Sequence, residues 1–337
     1  MTNIYPPGSI ILAPLSGYTD LPYRRSARRG GCRYAFTEMI DACSLAYRND
    51  KTHLMLDRGN DEEWLGVQLV GAKADKIAEA VEVINSHDFN VLDFNLGCPV
   101  AKVAKKCAGA ALGARPEDAA RVFEIIAAKS RFPVTAKIRI LDETNPEPTL
   151  YLVKLLEQAG AQAITVHGRI RSAFYSGPVF TDIIRAIRES VNIQVIANGG
   201  IMIKPACDEL KQKSGCDCVM VARGAMGNPW LFRELSDAET YRPPCGLELA
   251  EEMRLHIMEM AEYYGETLGM KISRKVILDY LHGRGYHKSL KNDASFLKTT
   301  ADFLNFLEPV KEGPSSRLST ADMIPLPERI MRPNPEE

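Results

Sequence analysis

Residues 193–229 read IQVIANGGIMIKPACDELKQKSGCDCVMVARGAMGNP. Two short apolar runs, IQVIAN (193–198) and CVMVAR (218–223), each end on a polar residue and pass into a glycine-rich turn, ANGGI (197–201) and ARGAMGNP (222–229). A short apolar run bounded by turn signals reads as a buried strand. The same unit recurs upstream as SIILAP (9–14), YAFTEM (34–39), LGVQLV (65–70), VLDFNL (91–96), VTAKIR (134–139) and QAITVH (162–167). Helical patterns lie between several of these runs. ADKIAEAVEVINS places Ile77, Val81 and Ile84 on one face. RPEDAARVFEIIAAKS opens on Pro116 and two acids, which suits a helix N-terminus, and TDIIRAIRES reads with Thr181 as its N-cap. Eight strands alternating with helices predict an α/β chain, a (β/α)8 TIM barrel. A doubly wound open sheet is the alternative, but no GxGxxG turn follows the first strand.

Beyond residue 230 the pattern changes. LELAEEMRLHIMEMAEYYGETLGM (247–270), SRKVILDYLHG (273–283) and DASFLKTTADFLNFL (293–307) each read as a helix, which predicts a small C-terminal helical-bundle domain. The expected organisation is a barrel domain over 1–240, a helical domain over 245–312 and a tail over 313–337 that holds five prolines. The 337 residues are 45% hydrophobic and 25% charged, as in ordinary globular chains, and the net charge of −1 excludes a polycation. A nucleic-acid role must therefore rest on local patches. None of the eight cysteines (32, 43, 98, 107, 207, 216, 218, 245) shows CxxC spacing, so no zinc or other metal site is expected. Unpatterned cysteines fit a reducing, cytoplasmic setting, with Cys216 and Cys218 as small buried hydrophobes. The N-terminus lacks the basic start and long apolar run of a secretory signal. No stretch of ~20 apolar residues predicts a membrane span.

The strand ends carry the chemistry. In order they bring Pro14 and Ser16, Glu38, Gln68, Asn95, Lys137, His167, Asn198 and Arg223. In a parallel barrel these ends converge on one face, where active sites lie. The glycine turns after strands seven and eight let backbone N–H groups approach a phosphate, and Arg223 adds a charge-assisted hydrogen bond. The other end of such a ligand would meet Lys137, Gln68 and APLSG (13–17). Flavin mononucleotide suits that layout, because a lysine can stabilise negative charge on the reduced ring and Gln68 can match a ring N–H and C=O. A sugar phosphate alone remains an open alternative at this level.

APLSGYTDLPYRR (13–25), TEMIDA (37–42), VQLVG (67–71), FNLGCPVAKVAKKCAGAAL (94–112), KIRI (137–140), TVHGRIRSAFYSG (165–177), VIANGGI (195–201) and ARGAMGNPWLF (222–232) together resemble the tRNA-dihydrouridine synthases, with the B-like bacterial subgroup nearest in pattern. The resemblance runs over about 10–310 in family order. It implies an FMN-bearing barrel and a helical domain that grips RNA, reducing the C5–C6 bond of selected uridines in tRNA with NADPH as electron donor. Carried onto this sequence, it implies flavin contacts from Pro14, Leu15, Ser16, Gln68, Lys137, His167, Asn198, Gly199, Gly200, Ala222 and Arg223, and catalysis by Cys98. Asn95 falls where the target base is held, and Arg274 and Lys275 match an RNA-contacting RK helix. The chain departs from the family at Leu15, where methionine is usual, at Gly200, where an acid is common, and at Ala222, where glycine is common.

Uracil reduction needs a hydride at C6 and a proton at C5. A thiol with pKa near ~8.5 is protonated at neutral pH yet acidic enough to transfer, whereas an aspartate would be ionised and a lysine a weaker acid. Cys98 at the strand end, with Pro99 fixing the turn, fits that role, and Cys107 reads as packing. Lys102, Lys105 and Lys106 read as facing RNA phosphates, as do Arg169 and Arg171 and the arginines of RRSARR (24–29). The 271–291 segment carries six Lys/Arg against one acid, Asp279, and reads as the main backbone grip. A ribosomal RNA substrate, a barrel reductase of a small pyrimidine, and an RNA-binding chaperone with a relic barrel are the competing readings. No protein partner is assigned, and a monomer is expected.

Overall fold

The computed structural model describes residues 3–237 and 239–314. All eight expected strands form: β1 (Ile10–Leu12), β2 (Tyr34–Asp41), β3 (Leu65–Val70), β4 (Val91–Leu96), β5 (Val134–Arg139), β6 (Ala163–His167), β7 (Gln194–Asn198) and β8 (Val219–Val221). They are parallel and close in sequence order, with β8 pairing back onto β1 at Ile11↔Met220. The chain is a (β/α)8 barrel. Every residue of β3, β4 and β6 is buried, because the barrel interior covers one face and the helices the other. That explains why these strands read as apolar runs rather than as alternations.

The barrel interior is filled by Ile11, Phe36, Val91, Ala163, Ile196 and Met220, and its floor is closed by Tyr5 against Tyr34 and Trp64. Outside, the Ala74–Asn85 helix lays Ile77, Val81 and Ile84 on the sheet, as the spacing predicts. The Pro116–Lys129 helix begins on its proline with Glu117 and Asp118 in the first turn. The cap expected at Thr181 is corrected. The Thr181–Ser190 helix has Phe180 at the N-cap position, with no side-chain cap, and Thr181 is already its first helical residue.

Among the described residues, four helices follow the barrel and its last helix Leu231–Ser236: Gly246–Tyr264, Glu266–Leu281, Lys288–Ala294 and Thr300–Lys311. They share a core that includes Met253, Ile257, Met270, Ile277, Phe303 and Val310. Two helix boundaries differ from those read in the sequence. The 247–270 segment does not run through as one helix, because the chain turns at Gly265 with φ +77°. The 293–307 segment splits at Thr299, whose side chain caps the last helix in a box with Asp302. A hydrophobic period does not register a polar cap inside it.

The seam between barrel and helices is polar. Arg29 donates to Glu252 at 2.9 Å and to Glu259 at 2.8 Å. Tyr18 Oη donates to Asp279 at 2.9 Å, Tyr264 Oη to Asp20 at 2.8 Å, and Ser26 and Tyr280 share a bond of 2.8 Å. Apart from residues 313 and 314, the proline-rich tail lies outside the described residues. Among the described residues no helix is long and apolar enough to cross a membrane.

Candidate functional site

The C-terminal strand ends surround a cavity of about 420 Å³. Its lining brings together Pro14, Leu15, Ser16, Gln68, Asn95, Cys98, Lys102, Lys137, His167, Arg169, Asn198, Gly199, Gly200, Ala222 and Arg223. Parallel strands that end at one level converge their last side chains, so residues far apart in sequence become neighbours.

Glu38 is the exception in the strand-end ring. The β2–β3 register shifts between Phe36 and Met39, and Glu38 accepts from the Gly17 N–H instead of lining the cavity. A bulge re-aims a side chain in this way. Glu38 thus holds the β1 loop in place and stands outside the cavity lining.

The cavity wall is a chain of amides and charges. Gln68 Nε2 donates to Asp93 Oδ2 at 2.7 Å, and Asn95 Nδ2 donates to Gln68 Oε1 at 2.8 Å. Asn95 Oδ1 accepts from Cys98 N at 2.9 Å and from Gly97 N at 3.1 Å. Across the cavity, Lys137 Nζ donates to Asn198 Oδ1 at 2.9 Å, and Asn198 Nδ2 donates to the Met220 carbonyl at 2.7 Å.

Electrostatics follow from burial. Desolvation, helped by the Arg139 charge, brings Lys137 down to about 8, against the opposing pull of Asp93 and Cys98. Burial raises the Cys98 thiol above its ordinary value, although the Val100 backbone and the Arg139 and Lys137 charges act the other way. His167 falls well below the usual imidazole range, first by burial and then by four nearby cations, so it is neutral. Arg139 is itself lowered to about 10, mainly by burial.

At the β7 turn, Gly199 (φ +133°) and Gly200 (φ +70°) line the cavity in backbone conformations that favour glycine, and a Cβ at Gly199 would meet Val179 and His167. Ala222 has a negative φ (−121°), so its methyl meets no left-handed backbone demand. Arg223 lies over the Tyr175 ring at 4.7 Å and donates to the Tyr175 carbonyl at 3.2 Å.

The remaining sequence candidates make other contacts. Arg171 is exposed and outside the cavity lining, while Arg169 is buried and donates to the Gly177 carbonyl at 3.0 Å. Arg274 donates to the Leu297 carbonyl at 2.9 Å; Lys275 reaches the Gly17 carbonyl and sits 4.1 Å over the Tyr18 ring. The reading of RRSARR as a phosphate patch is corrected for Arg24, Arg28 and Arg29, which are spent on ion pairs within the fold. Arg24 and Arg28 bind the buried Glu62, Arg29 binds Glu252 and Glu259, and Arg25 pairs with Asp61. Lys106 pairs with Asp41 at 2.8 Å. Cys107 is exposed, not packed. It occupies a left-handed position, φ +56°, just past the short Ala101–Lys105 helix.

Sequence reasoning missed Arg139, Asp93 and Tyr175. Arg139 donates to the Gly97 carbonyl at 2.9 Å and to the Phe174 carbonyl at 2.7 Å, clamping the cysteine loop to the loop after β6. Its signal was available, since it lies two residues beyond Lys137 on the same face of β5. Asp93 was visible as an acid inside an apolar run. Tyr175 lies in a loop with no periodic signal. Among the described residues no cluster of His, Cys, Asp or Glu could hold a metal.

The family model described as dihydrouridine synthase matches residues 11–313. A probable tRNA-dihydrouridine synthase of Rickettsia conorii is 37% identical over 318 residues, covering 92% of this chain and 93% of its own. The tRNA-dihydrouridine synthase B of Pasteurella multocida is 33% identical over 279 residues, covering 81% and 84%. That of Serratia marcescens is 31% identical over 320 residues, covering 93% and 95%. With the closed barrel and the residues at its mouth, this likeness across nearly the whole length shows that the chain belongs to the dihydrouridine synthase family of oxidoreductases.

Proposed function

We propose that this chain reduces the C5–C6 double bond of selected uridines in tRNA to 5,6-dihydrouridine, using FMN in the barrel mouth and NADPH as electron donor, in the cytoplasm. Residues 1–240 form the catalytic unit and 245–312 the part that grips RNA. The observation that carries the reading is one cavity lined by Cys98, Lys137, Gln68 and both glycine-rich turns.

The residues fit FMN. The Gly199–Gly200 turn at the cavity and the Arg223 guanidinium suit its phosphate. Pro14, Leu15, Ser16, Ala222 and the neutral His167 supply the remaining wall, with Asn198 anchoring Lys137. Gln68 offers an amide to the pyrimidine edge, and Lys137 offers positive charge where negative charge accumulates. When bound, the flavin supplies hydride to C6 of the uracil.

The base then carries negative charge at C5 and O4. Cys98 Sγ–H gives its proton to C5, and the thiolate takes a proton back from water. Burial keeps the thiol protonated beforehand, and the Arg139 and Lys137 charges favour the thiolate left behind. Asn95 orients the cysteine loop through two backbone N–H groups. Lys102, at the cavity rim, and the exposed Lys105, Lys271 and Lys288 are available to phosphates, with Arg169, Arg171, Arg274 and Lys275 as further contacts. A base within folded RNA must leave its stack to reach such a site. All eight cysteines are free, which suits a reducing compartment.

The test is mass-spectrometric mapping of dihydrouridine in total RNA from cells with and without the gene, together with the absorption spectrum of the purified protein. Loss of dihydrouridine at tRNA positions and a flavin spectrum are expected. Loss confined to ribosomal RNA, or turnover of free uridine as fast as folded RNA, would overturn the substrate assignment.

A further inference from the structure

We propose that Asp93 is a positioning residue for Cys98: a buried carboxylate that sets the direction of two side-chain amides and through them holds the backbone of the cysteine loop. The proposal rests on the reading of Cys98 as the proton donor.

Asp93 faces the buried Lys137 charge, but a counter-charge alone does not require the directed hydrogen bonds it makes. It sits mid-strand in β4 among buried apolar neighbours and is 1% exposed. A charge there costs stability that an aliphatic side chain would not. What it does have is a set of directional partners. Thr135 Oγ1 donates to Asp93 Oδ1 at 2.6 Å, and Gln68 Nε2 donates to Asp93 Oδ2 at 2.7 Å. Gln68 lies directly across from Asp93 in the β3–β4 register. Asn95, two residues along β4 and so on the same face, donates to Gln68 Oε1 at 2.8 Å. Its own carbonyl then accepts from Cys98 N and Gly97 N, at 2.9 and 3.1 Å.

A primary amide is nearly symmetric in shape and opposite in hydrogen bonding at its two ends. Rotating one by half a turn costs little unless its neighbours distinguish N–H from C=O. A carboxylate does so absolutely, because it only accepts. With Asp93 ionised, Gln68 must present its NH₂ to it. The Gln68 carbonyl then faces Asn95, which must present its NH₂ in turn. That leaves the Asn95 carbonyl for the Cys98 and Gly97 N–H groups. Reversing the sequence would set lone pairs against lone pairs at Asp93 and NH₂ against N–H at Cys98. Burial raises Asp93 to about 6, against the Thr135 and Gln68 hydrogen bonds and the Lys137 charge, so it is an acceptor at pH 8. The loop is then held from two sides, because Arg139 Nε grips the Gly97 carbonyl at 2.9 Å.

The experiment measures alkylation of Cys98 by iodoacetamide at pH 8 in the full chain as purified with its cofactor. Peptide mass spectrometry reads the rate, and the exposed Cys107 serves as internal reference. Asp93→Asn keeps the shape but offers an NH₂ as well as a carbonyl, so Gln68 is no longer obliged to present its NH₂. Cys98 should label about 5-fold faster with Cys107 unchanged, as expected for loss of one backbone hydrogen bond. Measured at saturating FMN, since Gln68 also faces the flavin, kcat for uridine reduction should fall about 10-fold with KM for tRNA little altered. Thr135→Val, which frees one carboxylate oxygen, should shift Cys98 labelling less and in the same sense, and Thr135→Ser should restore it. Wild-type Cys98 labelling in Asp93→Asn overturns the proposal, as does an equal rise at Cys98 and Cys107. If Asp93→Asn does not fold, equal Cys98 labelling in Thr135→Val and Thr135→Ser overturns it. The labelling uses no RNA, so a wild-type protein that fails to reduce uridine would remove the reaction assignment while the positioning is still decided.

Discussion

Cys98 sits on the cavity wall with its thiol raised by burial, which suits an acid that must hold its proton until the base needs it. Cys98→Ala should therefore keep bound flavin and NADPH oxidation while uridine reduction falls about 10²–10⁴-fold, the usual share of a general acid. Single-turnover reduction of a tRNA transcript checks this, and full activity would refute the assignment. Lys137 gives a prediction about pH. Its folded value of about 8 lies below the ordinary 10.5, so between those values the unfolded chain binds more protons than the folded one. Stability then gains with rising pH across roughly 8 to 10.5, relative to Lys137→Met, as Lys137 sheds its proton in the folded state first. Urea unfolding of the flavin-free pair at pH 7.5 and 10 measures it, and parallel pH curves for the two proteins would contradict it.

At the scale of elements, the cavity wall is held from outside the barrel. The β1 loop that supplies Leu15, Ser16 and Tyr18 is gripped by the Glu266–Leu281 helix through Lys275 on the Gly17 carbonyl and Asp279 on Tyr18. The loop after β8 meets the same helix at Gly227, with φ +62°, where a Cβ would lie 2.2 Å from the Asp279 carbonyl carbon. Neither the backbone angle nor the space admits a side chain. Gly227→Ala should destabilise the chain by about 2–4 kcal/mol, since backbone must move on both sides. The midpoint of urea unfolding tests this, and a change within about 0.5 kcal/mol, as at an ordinary surface site, would show the approach is looser. Strand limits were legible at this scale because fully buried strands announce themselves as apolar runs. Helix breaks at Gly265 and Thr299 were not, because the apolar spacing continues across both.

At the scale of the whole molecule, the charges divide between those spent on the fold and those left facing outward. Arg24, Arg28 and Arg29 tie segments together through Glu62, Glu252 and Glu259, while Lys102, Lys105, Lys271 and Lys288 are exposed. If about four such cations meet RNA phosphates, affinity for tRNA should fall roughly 50-fold between 50 and 200 mM salt. Filter binding across that range measures the slope, and a flat response would argue against an RNA grip of this kind.

The sequence by itself determined the barrel, because eight buried strands and their intervening amphipathic helices need only local periodicity to be seen. It also marked Pro14, Ser16, Glu38, Gln68, Asn95, Lys137, His167, Asn198 and Arg223 as a set, because each lies at or near the end of an apolar run and the topology brings those ends, Glu38 apart, together. Tertiary structure alone decided where the other polar groups go. Glu38 turns to Gly17 where the β2–β3 register shifts, and Arg24 disappears into the core because Glu62, 38 residues on, folds beside it. Periodicity is a property of neighbours along the chain, whereas the partner of a charge or an amide is chosen by proximity in space, and only the folded molecule fixes that.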